Sequence, residues 1–310
     1  MSGPMLAVLH TYQNHLLDST RWHRFVPRDD DIVITTSLKS GTTWTQTIVA
    51  HLILGTTSIP DIGVVSPWLE RRGHALDEVL STLDAQPHRR FIKSHLPLDG
   101  LPFHAQVKYI VVGRDARDVF MSLWNHHTSY TDTFVAELNA LPGRVGPPLP
   151  PPQQEIHAFW RDWITRGWFE WESEGYPYWG NLHHTKTWWP YRTLDNVLFV
   201  HFNDLLSDLE SEIRRIARFL EIACSDQTIA GVAAMVTFAA MKEHADQLLP
   251  RADHVWTGGP TTFVFKGTNG RWKGVLSPEE LALYAHTVET VLPPACAAWL
   301  EHGRAALTQC

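Results

Sequence analysis

The order of apolar and polar stretches along the chain already predicts its elements. Ile32-Val33-Ile34 is a short apolar run of the kind a buried strand makes. It gives way to a loop of small residues, 37–43, holding one lysine. Beyond the loop, apolar positions recur at helical spacing: Trp44, Ile48 and Leu52, with Val49 and Ile53 beside them. The reading is strand, tight loop, helix, and the same order returns downstream. Residues 89–95 predict a second strand that Pro97 stops. Residues 108–112 predict a third, running into Gly113-Arg114-Asp115 and then a helix over 116–127. Residues 197–202 predict a fourth.

Smaller signals fill the gaps. Residues 1–30 are polar and helical at most, and 75–83 predict a short helix. Residues 141–152, LPGRVGPPLPPP, exclude a regular element and read as a surface loop of polyproline character, a candidate lid. Helical aromatic segments follow over 156–168 and 181–189, so 140–192 reads as an insertion beside the substrate. Ser207-Asp208-Leu209-Glu210 reads as a capping box for a helix running to about 220. Ser225 predicts a helix through about 241, and Ser277-Pro278-Glu279-Glu280 one through about 291. Strands alternating with helices predict an α/β fold: three layers, with a central, mostly parallel sheet covered on both faces. No internal repeat or linker interrupts it, so residues 1–310 read as one domain. Ligands of such sheets sit at the carboxyl ends of the strands. Lys39, His95 and Arg114 each lie just past one.

Composition narrows the classes. The net charge of −7 argues against wrapping a nucleic-acid backbone, while leaving room for a local basic pocket. No apolar run approaches the roughly 18 residues that span a bilayer, and residues 1–15 lack the basic start of a signal peptide. Cys224, Cys296 and Cys310 are widely spaced and suggest neither disulfides nor zinc, which points to a reducing cytoplasm. The 18 histidines raise the question of a metal, but no H-E-x-x-H or C-x-x-C occurs and none is expected.

The chemistry starts at the first loop. A helix that opens there directs free backbone N–H groups, on the positive end of the helix dipole, at one spot, which makes an anion site. Lys39 adds a mobile positive charge, Gly41 lets the backbone approach closely, and Ser40, Thr42 and Thr43 carry hydroxyls. The loop is not a Walker A motif, because Lys39 precedes Gly41.

Lys39-Ser-Gly-Thr-Thr-Trp44 resembles the 5′-phosphosulfate loop of the cytosolic-type sulfotransferases. Three further blocks match that family in order. They are Phe91-Ile-Lys-Ser-His-Leu-Pro97, Tyr109-Ile-Val-Val-Gly-Arg114 with Ser122 eight residues on, and Phe265-Lys-Gly-Thr-Asn-Gly-Arg-Trp-Lys273. The resemblance spans about residues 25–285 and suggests the bacterial branch. It implies the donor 3′-phosphoadenosine 5′-phosphosulfate (PAPS), no metal, and transfer to a hydroxyl of a small acceptor. On this resemblance residues 39–43 hold the phosphosulfate, Arg114 and Ser122 grip the 3′-phosphate, and Lys266 and Gly267 close over it. Trp44 stacks on adenine, with Phe238 as a second face. His95 is the general base, the right type for that task near neutral pH, and Lys93 steadies the group in transfer. Two positions depart from the pattern. Phe265 replaces an arginine and Phe202 replaces a tyrosine, both expected at the nucleotide; Arg271 or Arg251 is a candidate substitute. The family's dimer motif is absent near the C-terminus, which leaves the oligomeric state open. Tyr130, Trp160, Trp163, Trp168, Trp188, Trp189 and Tyr191 are expected to favour an aromatic or apolar acceptor. The competing readings are a magnesium-dependent small-molecule kinase, with Asp115 as its metal carboxylate, and a nucleotide-binding module without catalysis.

Overall fold

The computed structural model describes residues 6–56, 58 and 60–308. Four strands form one sheet: β1 (Ile32–Thr36), β2 (Phe91–Ser94), β3 (Lys108–Gly113) and β4 (Val197–His201). All pair in parallel, in the order β2-β1-β3-β4. Side chains alternate across each strand. Val33, Ile92, Tyr109 and Val111 therefore enter one core, and Ile32, Ile34, Phe91, Ile110 and Val112 enter another on the opposite face. Near-continuous apolar strands are what a sheet buried on both sides requires.

The chain moves outward from β1 to β2, then returns across β1 to β3. The strand order thus reverses at the β1/β3 boundary, where the carboxyl ends of a parallel sheet open a crevice. The residues leaving β1 enter the Thr42–Leu54 helix, and those leaving β3 enter the Ala116–Thr128 helix. Gly113, the last residue of β3, lies where an added Cβ would come within 2.3 Å of Trp299 in the Pro294–His302 helix. That contact seats the C-terminal helix against the sheet.

Several boundaries differ from those read in the sequence. The helix predicted behind Ser207 starts one residue later: Asp208 is its cap, accepting from Ser211 N at 3.1 Å. Ser207 is instead the last residue of a short helix, Phe202–Ser207, which also takes Phe202 out of β4. The helix predicted from Ser225 to about 241 is two helices, Asp226–Met235 and Phe238–Glu243. Thr237 caps the second, and the Val236 carbonyl at the break accepts from Trp44 Nε1 at 2.8 Å. The Ser277 capping box forms as expected. No regular element covers the proline-rich stretch, but it is tied down: Asn139 bonds both backbone groups of the buried Leu149, and Arg72 reaches the Pro142 carbonyl at 2.7 Å. Cys310 lies outside the described residues. Among the described residues, no helix is long and apolar enough to cross a membrane.

A buried ion pair joins the entrances of β1 and β2. Arg90 Nε donates to Asp31 Oδ1 at 2.8 Å, and both residues are 2% exposed. Asp31 Oδ2 also accepts from Arg28 N at 2.7 Å. Arg90→Leu leaves the Asp31 carboxylate buried without its cation, so urea unfolding should show a loss of about 3–5 kcal/mol. Adding Asp31→Asn removes the stranded charge and should recover part of that loss. A double variant no more stable than Arg90→Leu would refute this account.

Candidate active site

The loop leaving β1 is bent by two residues with left-handed backbone. Lys39 has φ +64° and Gly41 φ +113°. A Cβ on Gly41 would also lie 3.0 Å from the Phe202 ring, so glycine answers both the torsion and the close packing. Gly41 caps the Thr42–Leu54 helix without a side-chain bond. Two of the loop hydroxyls are spent within the fold. Ser40 Oγ pairs with Ser37 Oγ at 2.7 Å, and Thr42 Oγ1 pairs with Thr36 Oγ1 at 2.5 Å. Both residues are buried, which leaves their backbone amides for an anion.

Lys39 points across the crevice. Its amine lies 3.2 Å from His126 Nδ1 and 4.0 Å from the centre of the Phe263 ring. Burial, then the charges of Lys93 and Arg114, push its pKa down to about 7. In its ammonium form Lys39 can only donate, and the His126 Nδ1 facing it is then the acceptor. Burial, then Lys39, hold that imidazole neutral.

Arg114 follows β3. Its guanidinium lies 4.0 Å from the centre of the Phe202 ring and donates to Asn269 Oδ1 at 2.8 Å and to the Thr268 carbonyl at 3.1 Å. A weaker bond, 3.4 Å, reaches the Lys39 carbonyl. Burial pushes its pKa down to about 10. Arg114 therefore holds the C-terminal loop, which Asp118 also fixes by accepting from Gly270 N at 2.7 Å. In that loop Gly267 has φ +63°, and a Cβ there would run into the Phe238 ring at 2.2 Å. Trp44 meets Phe202 edge-on at 5.2 Å. The structure thus gathers Trp44, Phe202, Phe238, Gly267 and Arg114 around one side of the crevice. Lys266 and Arg271 both lie over the Phe265 ring, at 5.2 and 5.0 Å. Arg271 acts electrostatically on Arg114, which brings one of the two expected substitutes beside it. Ser122, in mid-helix, lies one turn from Asp118 and one turn from His126 on the same helical face.

His95 and Lys93 close the other side. His95 is 3% exposed; its backbone N donates to Glu70 Oε1 at 2.6 Å, and its Nδ1 lies 2.8 Å from the Thr36 carbonyl. A carbonyl only accepts, so Nδ1 carries the proton and Nε2 keeps a lone pair. Burial, then Lys93, drive the imidazole pKa well below its usual value, so it stands neutral at pH 7. Lys93 lies 4.5 Å above the Trp68 ring, with a pKa lowered to about 8 by burial and then by Arg71. The Trp68 and Trp179 rings lie 4.8 and 5.8 Å from the His95 ring.

The aromatic side of the site is not the set expected from sequence. Trp160, Trp163, Trp188 and Trp189 are buried in the core, at 6% exposure or less. They pack in the larger of the two cores. Trp168 packs on His15 and Tyr176. Of that group, Tyr130 reaches the crevice, 5.1 Å from the His126 ring and bridged by backbone to Trp256. The rings near the reactive groups are instead Trp68, Trp179, Trp256, Phe263 and His126. His126 had a legible signal: it stands four residues beyond Ser122. Of the others, Trp68, Trp179 and Trp256 sit in irregular segments, and Phe263 ends the five-residue Gly259–Phe263 helix, too short to show a periodicity. Asp115 does not face the crevice; it caps its own helix and takes two further bonds from Arg117, at 2.9 and 2.7 Å. Among the described residues, no group of three or more His, Cys, Asp or Glu side chains could hold a metal ion.

Comparisons with known proteins bear on the family and the fold. The Sulfotransferase domain family matches residues 29–292. A glycolipid sulfotransferase of Mycobacterium bovis is 34% identical over 312 residues, covering 94% of each chain. Sulfotransferase 1A1 of Rattus norvegicus is 27% identical, covering 86% of each. Mouse sulfotransferase SULT7A1, solved with PAP, superposes with a TM-score of 0.71 at 21% identity, covering 95% of this chain and 98% of that one. Retinol dehydratase, solved with androsterone and the inactive cofactor PAP, gives 0.69 at 22% identity, over 89% and 84%. With the α/β sheet, the loop and the strand-end residues already in place, the chain belongs to the sulfotransferase domain family.

Proposed function

We propose that the protein transfers a sulfuryl group from PAPS to a hydroxyl of a small, largely apolar or aromatic acceptor, with His95 as general base. One observation carries this reading: Lys39, Lys93 and Arg114, which form no ion pair among the described residues, converge on a crevice that also holds the unprotonated Nε2 of His95. Three cations call for a polyanion, and a neutral imidazole suits a proton acceptor.

The roles follow from position. The amides of residues 40–43 and Lys39 hold the phosphosulfate. As the acceptor oxygen bonds to sulfur, the bond from sulfur to the bridging oxygen breaks. Negative charge grows on that bridging oxygen, where Lys39 is placed to meet it. The acceptor proton passes to His95 Nε2, while the Thr36 carbonyl keeps the ring oriented through Nδ1. Lys93 faces the sulfuryl oxygens. Arg114, with Ser122 and the Lys266–Gly267 turn, takes the 3′-phosphate. Trp44 and Phe238 bracket the adenine, and Phe202 packs beneath Arg114. Adenosine 3′,5′-bisphosphate is the product that leaves.

Calorimetric titration with adenosine 3′,5′-bisphosphate and with adenosine 5′-phosphate tests the donor. The bisphosphate should bind more tightly, and Arg114→Ala should remove most of the difference, worth about 1.5–3 kcal/mol for a charge-assisted contact. Equal affinity for the two nucleotides would defeat the assignment.

His95→Ala should lower kcat by at least about a hundredfold, the usual scale for a lost general base, with bisphosphate affinity little changed. An unchanged kcat would remove His95 from the chemistry.

Proton linkage gives a further check. Free Lys39 and Lys93 lose their protons as pH rises through about 7 and about 8. A bound polyanion favours the charged forms and raises both values. At pH 8 bisphosphate binding should therefore take up protons, seen as an observed heat that varies with the ionisation enthalpy of the buffer, and affinity should weaken as pH rises further. Release of protons at pH 8 would contradict this account.

A further inference from the structure

The cations of the crevice form a series that runs past the reacting centre. Lys39 is acted on by Arg114 and Lys93, Lys93 by Arg71, and Arg71 by Arg251. On the proposed reading the donor accounts for the first part of this series. Arg114 meets the 3′-phosphate, Lys39 the bridging oxygen and Lys93 the sulfuryl group. Arg71 has no such counterpart: it is the next charge after Lys93, and on that reading it falls on the acceptor side of the group in transfer.

The placement of Arg71 is fixed by the fold. Its backbone bridges to Leu17, and the next residue donates from Arg72 N to the Leu16 carbonyl at 3.0 Å. Its guanidinium lies 5.9 Å from the centre of the Trp68 ring, the same ring that carries Lys93 and abuts His95. Its Nε is sealed from solvent and has no hydrogen-bond partner. A sealed guanidinium N–H left without an acceptor is costly, and in a binding cleft a ligand is the natural source of one.

None of the groups around Arg71 supplies that acceptor. The adjacent carboxylate, Glu70, is already used: Oε1 accepts from Ser94 Oγ and His95 N, at 3.0 and 2.6 Å, and Oε2 from Trp22 Nε1 at 2.9 Å. Among the described residues Tyr130 is the potentially negative group that acts on Arg71, and burial pushes its phenol up to about 12, so it is neutral at pH 7. His74 also faces this region; burial, then Arg71, Arg251 and Arg21, lower its pKa to about 4, so it adds no charge of its own. Arg251 contributes a second positive charge.

We propose that Arg71 binds an anionic group (a carboxylate, phosphate or sulfate) of the acceptor, so that the substrates are acidic molecules whose reactive hydroxyl is set apart from their negative charge by an apolar or aromatic spacer lying on Trp68. A guanidinium takes such groups through paired N–H bonds and is suited to a planar carboxylate. This assignment rests on the sulfotransferase reading for the direction of approach, but it is tested by binding alone.

The probes are 4-hydroxyphenylacetate, 3-(4-hydroxyphenyl)propionate and 4-(4-hydroxyphenyl)butyrate, each beside its methyl ester. Binding to the full-length protein saturated with adenosine 3′,5′-bisphosphate is followed by calorimetry. At least one acid should bind about tenfold or more tightly than its ester, the scale of one hydrogen-bonded charge contact, and the ratio should shrink with added salt. Arg71→Gln should bring the acid-to-ester ratio close to one, and Arg71→Lys should keep part of it. If no acid outbinds its ester, or if Arg71→Gln leaves the ratio intact, the proposal is overturned. Failure of the donor reading would show elsewhere, in the bisphosphate titration, and would leave the acid-to-ester ratio to judge Arg71 on its own.

Discussion

Positive charge crowded into a nearly dry crevice is the constraint around which this site is arranged. Burial, then Lys93 and Arg114, bring Lys39 down to about 7; burial, then Arg71, bring Lys93 down to about 8; and burial lowers Arg114 to about 10. Such crowding costs stability in the unliganded protein. The nearby carboxylates relieve it only in part, and each is hydrogen-bonded elsewhere. Asp115 holds Arg117, Asp118 takes the Gly270 amide, and Glu70 takes the His95 amide. The acids serve as struts for the backbone, and the bases are left for a ligand. An anion entering the crevice meets charges that the protein has left unpaired.

Holding those charges in place falls to the sheet and to the packing beneath it. Parallel register brings the ends of β1, β2 and β3 to one edge, and the reversal of strand order opens the gap between the loops that leave them. Lys39 is aimed by a left-handed backbone, which a non-glycine residue adopts only under support from its surroundings. That support is dense: the Ser37–Ser40 and Thr36–Thr42 hydroxyl pairs lock the loop from below. Phe202 fills the space against Gly41 and carries Arg114 on its other contact. An aromatic residue without a hydroxyl still suits that position, because its work here is packing and a cation–π contact.

The sequence carried the sheet, the loop and the strand-end residues because each leaves a local mark. Apolar runs show where Ile32–Ile34 and Tyr109–Val112 must be buried, and Lys39, His95 and Arg114 follow strands at once. The misreadings have a different origin. Trp160, Trp163, Trp188 and Trp189 were expected at the acceptor because they cluster along the chain, but clustering in sequence does not say which face of a helix is turned to the core. The break at Val236 depends on a carbonyl claimed by Trp44, 192 residues away, and local propensity carries no trace of it. Trp68, Arg71, Trp179 and Trp256 lie in irregular segments, where only the folded chain shows that they share a crevice with His95.

The same electrostatics bear on His95, the proposed base. In the free protein, burial and Lys93 hold His95 neutral, which leaves Nε2 available but weakly basic. A residue in that state accepts a proton poorly, and a strong base would be protonated before it was needed. The proposed donor resolves this conflict in part. Its negative groups offset Lys93 and Lys39, the charges that lower the histidine's proton affinity from outside, while the Thr36 carbonyl goes on favouring the protonated ring. Desolvation, the largest of the lowering effects, stays in place. His95 therefore gains basicity when the donor is bound, and an acceptor anion at Arg71 would act in the same direction through the Arg71–Lys93 neighbourhood. On this argument the strength of the proposed base would be set by how fully the crevice is occupied, which would couple proton removal to the presence of both reactants.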